Sequence, residues 1–252
     1  SLGNVHNYDL LKAFLDQNFD QPGTDLMNAQ LQDFNPHPPF IHSSIQDAKY
    51  QTFAEKVVAI WPDLARRVAD DVFVNPSRHS LMPMKYPFVM PGGRFREYYY
   101  WDTYWVVRGL LTCGMVQTAL GMVENLLDMV RVYGFVPNGG RTYYVTRSQP
   151  PMLVPMIDAL FNATQDKLWL ASVMDALDTE YNWWMTPGKH ALNFSCTAQG
   201  CVVTKPAKGS TYYTLNRYYT EQIHPRPESY LADVQTAANY AGNVSDLYRH
   251  IT

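Results

Sequence analysis

The segment from Pro91 to Trp105 reads PGGRFREYYYWDTYW. Behind a Pro-Gly-Gly turn it gathers two arginines (Arg94, Arg96), two carboxylates (Glu97, Asp102), four tyrosines and two tryptophans. Aromatic rings stack on the apolar faces of pyranose rings, while guanidinium and carboxylate groups hydrogen-bond sugar hydroxyls. The chemistry such a mixture suits is recognition of a carbohydrate or cleavage of a glycosidic bond. Three further loops repeat the pattern of a turn-former beside an arginine and a hydrogen-bonding partner. Pro137-Asn138-Gly139-Gly140-Arg141 runs into Arg147-Ser148-Gln149-Pro150-Pro151, and Pro225-Arg226-Pro227-Glu228-Ser229 comes later. Arginine offers a rigid fork of donors, and Asn, Gln and carboxylates complete the polar inventory.

Each of these side chains has a plainer reading. Arg94, Arg141, Arg147 and Arg226 pair with carboxylates or cap helix ends. Glu97 and Asp102 are ordinary ion-pair partners, and Glu228 precedes a helix whose dipole favours an acid there. Trp101, Trp105 and the tyrosines, like Trp183 and Trp184, are core aromatics. Other chemistries find little support. The seven histidines show no metal-ligand spacing, and there is no nucleophile elbow, phosphate loop or dinucleotide fingerprint. Neither metal nor cofactor is expected. A net charge of -3 without a block of like charges argues against a nucleic-acid partner. No apolar run is long enough to span a membrane.

Three cysteines are present. The spacing of Cys196 and Cys201, with Gly200 between them, permits a small disulfide loop; two free thiols are the other reading. Cys113 falls in an apolar helical run and reads as a buried thiol. Sequons occur at Asn162, Asn193 and Asn243. Together with the possible disulfide they tilt the expected location towards secreted or extracytoplasmic.

These loops must be positioned by helices. With 252 residues, 46% of them hydrophobic, the chain can bury one large core. Residues 1–40 read as irregular, broken by Asn35-Pro36 and His37-Pro38-Pro39. Ser44 to Val68 has helical spacing that Pro62 must kink or divide. Tyr99 to Cys113 and Val116 to Tyr133 read as helices, the second with a stripe of Val116, Leu120, Val123, Leu127 and Val130 and with Gly134 as its cap. Pro151 to Phe161 and Lys167 to Trp184 form another pair. Ser229 to Tyr240 starts a last helix with Ser229 as N-cap. No segment sustains period-2 alternation, although a short hairpin is expected around 201–219. The expected class is all-α, helical hairpins packed side by side with the long loops gathered at one end.

The motif residues carry a closer resemblance. Pro91 to Tyr104 resembles the first signature of the trehalase family, PGGRFxExYxWDxY, at every specified position. PNGGRTYYVTRSQPP (Pro137 to Pro151) and RPES (Arg226 to Ser229) are similar to family segments in the same order. The resemblance covers roughly residues 85–252. It implies an (α/α)6 toroid with substrate in the central funnel, and hydrolysis of the α,α-1,1 bond of trehalose to two glucose molecules with inversion. Arg94, Phe95, Trp101, Asp102, Asn138, Arg147, Gln149, Arg226 and Glu228 match the family's sugar-binding positions.

Inversion needs a general acid and a general base about 6.5–9.5 Å apart. The family carries them on an SGWDFSSRW-like segment and beyond a QWDxPxxWxP-like signature, neither of which occurs here. Residues 1–252 are therefore expected to be the N-terminal portion of one catalytic domain, completed by a C-terminal polypeptide of the same precursor, with a truncated chain as the competing account and no catalytic residue in this chain. The alternative is a non-catalytic trehalose- or glucoside-binding module.

Overall fold

The computed structural model describes residues 8–197, 200–205, 208–209 and 211–252. Four helices form its centre. They are preceded by α1 (Tyr8–Asn18), β1 (Leu26–Asn28), α2 (Phe40–Ser44), α3 (Ala48–Val58), α4 (Trp61–Leu64), β2 (Ala65–Val68), α5 (Asp70–Val74) and β3 (Phe88–Val89). The central four are α6 (Tyr100–Thr112), α7 (Val116–Tyr133), α8 (Leu153–Thr164) and α9 (Lys167–Trp184). Beyond them lie β4 (Ala191–Thr197), β5 (Gly200–Val203), β6 (Tyr213–Asn216), α10 (Tyr230–Ala238) and α11 (Val244–Ile251).

The helical framework agrees with the sequence, and local signals set its ends. Asp47 caps α3 by accepting from Lys49 N at 2.7 Å. Asp166 caps α9 by accepting from Leu168 N and Trp169 N at 3.0 and 2.9 Å. Gly134 ends α7 at φ 82°, its N–H returning to Val130 O at 2.8 Å, a conformation that a Cβ would disfavour. Pro62 divides the 44–68 segment: α3 stops at Val58 and the proline falls in the first turn of α4, where its missing N–H costs nothing.

Helix α7 is the spine of the core. Val123, Leu127 and Val130 from the expected stripe are buried, and so are Met122, Leu126 and Met129, so that most of its circumference is covered. It packs on α6, α8 and α9. Truncating Leu126 or Leu127 to alanine here costs about 2–5 kcal/mol by the usual cavity rule. Asn125, buried on the same helix, accepts from Tyr86 N and donates to Tyr86 O, which fixes the loop leading to β3 without leaving a polar atom unmet. Cys113 is buried, accepts the Trp61 indole N–H at 3.4 Å, and has its thiol pKa pushed up by burial.

Two small antiparallel sheets correct the all-α expectation. The first has order β1-β2-β3, pairing Leu26 with Val68 and Ala65 with Val89. The second has order β5-β4-β6. Their strands have two to seven residues, too short for alternation to stand out from a helical background. The expected hairpin around 201–219 is also corrected: β4 is the central strand, and β5 and β6 pair with it rather than with each other. Residues 206, 207 and 210 of that segment lie outside the described residues. Cys196 and Cys201 face each other across β4 and β5 and are joined as a disulfide.

Residues 1–40 are less irregular than expected. Helix α1 and strand β1 lie there, and α2 begins at Phe40; residues 1–7 lie outside the described residues. Helix α1 buries no residue, and Leu10, Leu11, Phe14 and Leu15 along it are all exposed. At the other end, Ser229 makes no side-chain cap. A 3-10 turn at Pro227–Ser229 leads into α10, which stops at Ala238 rather than Tyr240. Among the described residues no helix is long and apolar enough to cross a membrane.

Candidate functional site

Short connections decide which ends of the helices come together. Only Cys113–Met115 separates α6 from α7, and only Gln165–Asp166 separates α8 from α9, so each pair runs antiparallel. The start of α6, the end of α7, the start of α8 and the end of α9 therefore share one end of the bundle. The Pro91–Tyr99 segment and the 134–152 loop both lie there.

Glycines shape the first of these. Gly92 and Gly93 have φ of 98° and 59°, and Gly92 and Phe95 exchange main-chain hydrogen bonds of 3.0 and 3.2 Å across the tight turn. Arg94 and Phe95 project from that turn, the Arg94 guanidinium 4.7 Å from the centre of the Phe95 ring. Helix α6 follows at once. Its first turn carries Trp101 and Asp102, and the Gln149 side chain caps it by accepting from Trp101 N at 3.0 Å.

The second loop is packed against the first. Tyr100 N donates to Asn138 O at 3.2 Å, and Gly140 N to Tyr98 O at 3.1 Å. A Cβ on Gly139 would fall 2.9 Å from the Tyr144 ring and 3.0 Å from Tyr98 O, so only glycine allows this approach. Asn138 N donates to Arg147 O at 3.0 Å, closing the loop on itself.

Ion pairs then bring in the 225–233 region. The Arg147 side chain is 4% exposed, and its guanidinium donates to the Glu228 carboxylate. Arg226 grips Asp233 of α10 with two side-chain bonds of 2.6 and 2.9 Å, which hold the Asp233 carboxyl below its ordinary value. Arg141 is forked between Glu97, at 2.7 Å, and Asp25 ahead of β1. The plainer reading of these arginines is thus realised for Arg141, Arg147 and Arg226, although the last two still line the site.

The result is a cleft of about 780 Å³, inside the usual range for small-ligand sites of roughly 300–1,000 Å³. All nine expected residues line it: Arg94, Phe95, Trp101, Asp102, Asn138, Arg147, Gln149, Arg226 and Glu228. Phe95 and Trp101 remain 45% and 41% exposed, leaving aromatic surface available to a ligand. Burial raises the pKa of the Asp102 carboxyl, opposed by its own backbone N–H and the Trp101 side chain. A single cleft thus presents three kinds of group, namely guanidinium donors, carboxylate acceptors and ring faces.

Several lining residues were not individually singled out in the sequence. Tyr99, Tyr143 and Tyr144 join the cleft. Burial raises all three phenols, with Tyr143 pushed up to about 12 and Tyr144 higher still. They stay neutral hydrogen-bonding groups at any physiological pH. Arg141 belongs to an adjoining hollow of about 570 Å³ that shares Glu97 and Tyr143 with the cleft. Glu180, buried behind the site, was also missed. Its signal was an acid in register with Val173 and Ala176 on the covered face of α9. Trp184 is buried as expected, and Trp183 stacks on Phe135 with ring centres 4.2 Å apart. Among the described residues no group of His, Cys, Asp and Glu is arranged to hold a metal ion.

Comparison with known proteins gives one family. The family model described as Trehalase matches residues 3–252. The chain is 38% identical to the trehalase of Bombyx mori over 240 residues, covering 94% of this chain and 39% of that protein. The figures for the Homo sapiens trehalase are the same, 38% over 240 residues with 94% and 39% covered. For the Arabidopsis thaliana trehalase they are 37% over 233 residues, with 92% and 35% covered. The chain therefore spans about two fifths of the length of the curated relatives it matches. Among solved structures, the neutral trehalase Nth1 of Saccharomyces cerevisiae aligns with a TM-score of 0.44 at 27% identity, covering 66% of this chain and 29% of that one.

Proposed function

The chain belongs to the trehalase family, and on that premise we propose that it forms the sugar-binding wall of a trehalose-hydrolysing enzyme. The reaction is cleavage of the α,α-1,1 bond to two glucose molecules with inversion at the attacked carbon. The observation that carries this reading is the convergence of all nine expected side chains, drawn from three separate stretches of the chain, on one cleft. Arg94, Arg147 and Arg226 donate to glucose hydroxyls. Asp102, Asn138 and Gln149 complete the polar ring, and Phe95 and Trp101 cover its apolar face. Glu97 and Glu228 are each ion-paired to an arginine, which suits acceptors of fixed charge better than a proton shuttle.

We assign the general acid and base to the part of the relatives' length that this chain does not span. In that arrangement residues 1–252 are part of one (α/α)6 catalytic domain, and the remainder of the domain closes the funnel. The Cys196–Cys201 disulfide and the sequons fit a secreted or extracytoplasmic glycoprotein. Asn162 and Asn243 are exposed, while Asn193 is half-buried and accepts from Thr214 at 2.7 Å. No cofactor is required.

The ion-paired state of two of the cleft's carboxylates also favours a second reading, a trehalose- or glucoside-binding module without turnover. Glucose release from trehalose by natively purified protein decides between them, with the product anomers followed by NMR. Equal α- and β-glucose supports the inverting hydrolase. Trehalose binding without glucose supports the module, and neither binding nor release overturns both.

A further inference from the structure

Glu180 lies near the end of α9, 3% exposed. Its Oε1 accepts from the hydroxyl of Tyr100 at 2.7 Å. The Tyr100 ring is fully buried, and its oxygen accepts in turn from Met152 N and Leu153 N, both at 3.0 Å. A phenol has one proton to give and two lone pairs to fill, so every valence of this hydroxyl is used. With both lone pairs taken by the start of α8, the proton must find an acceptor, and Glu180 supplies it. The Val136 N–H acts on the same carboxyl, lowering its pKa against the effect of burial.

Neither Glu180 nor Tyr100 lines the cleft, but both adjoin the segments that do. Tyr100 precedes Trp101 and Asp102, and its own N–H donates to Asn138 O at 3.2 Å. Val136 lies two residues before Asn138, and its carbonyl accepts from Ser148 Oγ at 2.7 Å. The Tyr100 hydroxyl thus ties the start of α6 to the start of α8, Glu180 anchors that hydroxyl to α9, and the Tyr100 N–H fastens the 136–149 loop to the same residue.

We infer that Glu180 is a positioning residue for the sugar site, setting the placement of Trp101 and Asp102 against Asn138, Arg147 and Gln149 through Tyr100. This rests on the reading of the cleft as a sugar site. An apolar residue of similar size would be cheaper to bury than a carboxyl. Burial indeed pushes the Glu180 pKa up to about 7, against the hydrogen bonds from Tyr100 and Val136. The ionisable neighbours that feel its charge are the buried hydroxyls of Tyr98 and Tyr100, both raised well above their ordinary value. The carboxyl is kept because it takes the one proton that Tyr100, with both lone pairs filled, has to give, which no aliphatic side chain does.

The test compares Glu180→Leu, Glu180→Gln and Tyr100→Phe in the complete protein, by amide hydrogen exchange and by trehalose kinetics. Glutamine keeps an oxygen for the Tyr100 hydroxyl; leucine does not. We expect Glu180→Leu and Tyr100→Phe to speed exchange at the Trp101 and Asn138 amides about tenfold or more while leaving unchanged the Ala69 amide, which donates to Asp25 O just beyond β2. KM for trehalose rises about tenfold in both and kcat falls less, and Glu180→Gln stays within about threefold of wild type. If Glu180→Leu does not fold, Tyr100→Phe against Glu180→Gln carries the comparison. Wild-type exchange and KM in Tyr100→Phe would overturn the inference, and so would acceleration spread equally to Ala69. A wild-type protein that neither binds nor cleaves trehalose sinks the sugar-site reading instead, and the exchange pattern still decides whether Glu180 holds the loop.

Discussion

The guanidinium of Arg147 and the carboxylate of Glu228 meet at one wall of the cleft although 81 positions separate them in the chain. Arg147 reaches this pair from the 134–152 loop, and Glu228 reaches it from the turn before α10. The contact therefore joins the helical bundle to the C-terminal part of the chain, and it keeps a nearly buried cation neutralised.

Glu228→Ala leaves the Arg147 charge without its partner in a poorly solvated place. Removing one member of a buried pair costs about 3–5 kcal/mol, and the partial exposure of Glu228 puts this case near 3. Urea denaturation checks this. A stability within experimental error of wild type would show that water replaces Glu228 without loss.

Asp102 stands in the first turn of α6 with its carboxyl raised by burial. Asp102→Ala is expected to raise KM for trehalose and to lower kcat, because sugar contacts strengthen as the transition state forms. A hydrogen bond to a charged group is worth about 1.5–3 kcal/mol, so kcat/KM should fall by about tenfold to a hundredfold. An unchanged rate removes Asp102 from the site.

Asp233 lines no part of the cleft, yet it holds Arg226 by two side-chain bonds. Asp233→Ala should weaken trehalose binding about tenfold by releasing Arg226 from its fixed pose. Isothermal titration is the check, and Asp233→Asn should recover part of the loss. Since the Asp233 carboxyl is held below its ordinary value, its contribution to stability is present above the unfolded pKa and lost as pH falls through the folded one.

The Glu180 carboxyl gives the opposite slope. Its pKa is about 7 in the folded chain against an ordinary 4.5. The folded state thus binds the proton more tightly, and the associated stability is complete below about 4.5 and disappears as pH rises through about 7. Chemical denaturation at pH 5 and pH 8 should show wild type losing on the order of a few kcal/mol more than Glu180→Gln over that interval. Parallel pH profiles for the two proteins contradict the assignment.

Much of the site was legible in the sequence because its parts are contiguous. PGGRFREYYYWD needs no partner to be recognised: the glycines, aromatic residues and charges lie within one turn and one helical turn. The four central helices were equally clear, since the α7 stripe and Gly134 are local signals, as is the break at Pro62 ahead of them. The short sheets were not, because strands of two to seven residues show too little periodicity and form only when a neighbour supplies the ladder.

By itself, then, the amino-acid sequence determined that the four central helices form, that α7 stops at Gly134, and which side chains are chemically suited to a sugar. Only the tertiary structure decided the pairings: Asp25 with Arg141, Arg147 with Glu228, Tyr100 with Glu180. Helix periodicity and turn chemistry act over a few residues, so they can be read along the chain. A hydrogen bond across 80 or more positions depends on how packed helices bring distant segments to the same end of the bundle. The acid buried on α9 had a visible register but no visible partner until the core had closed around it.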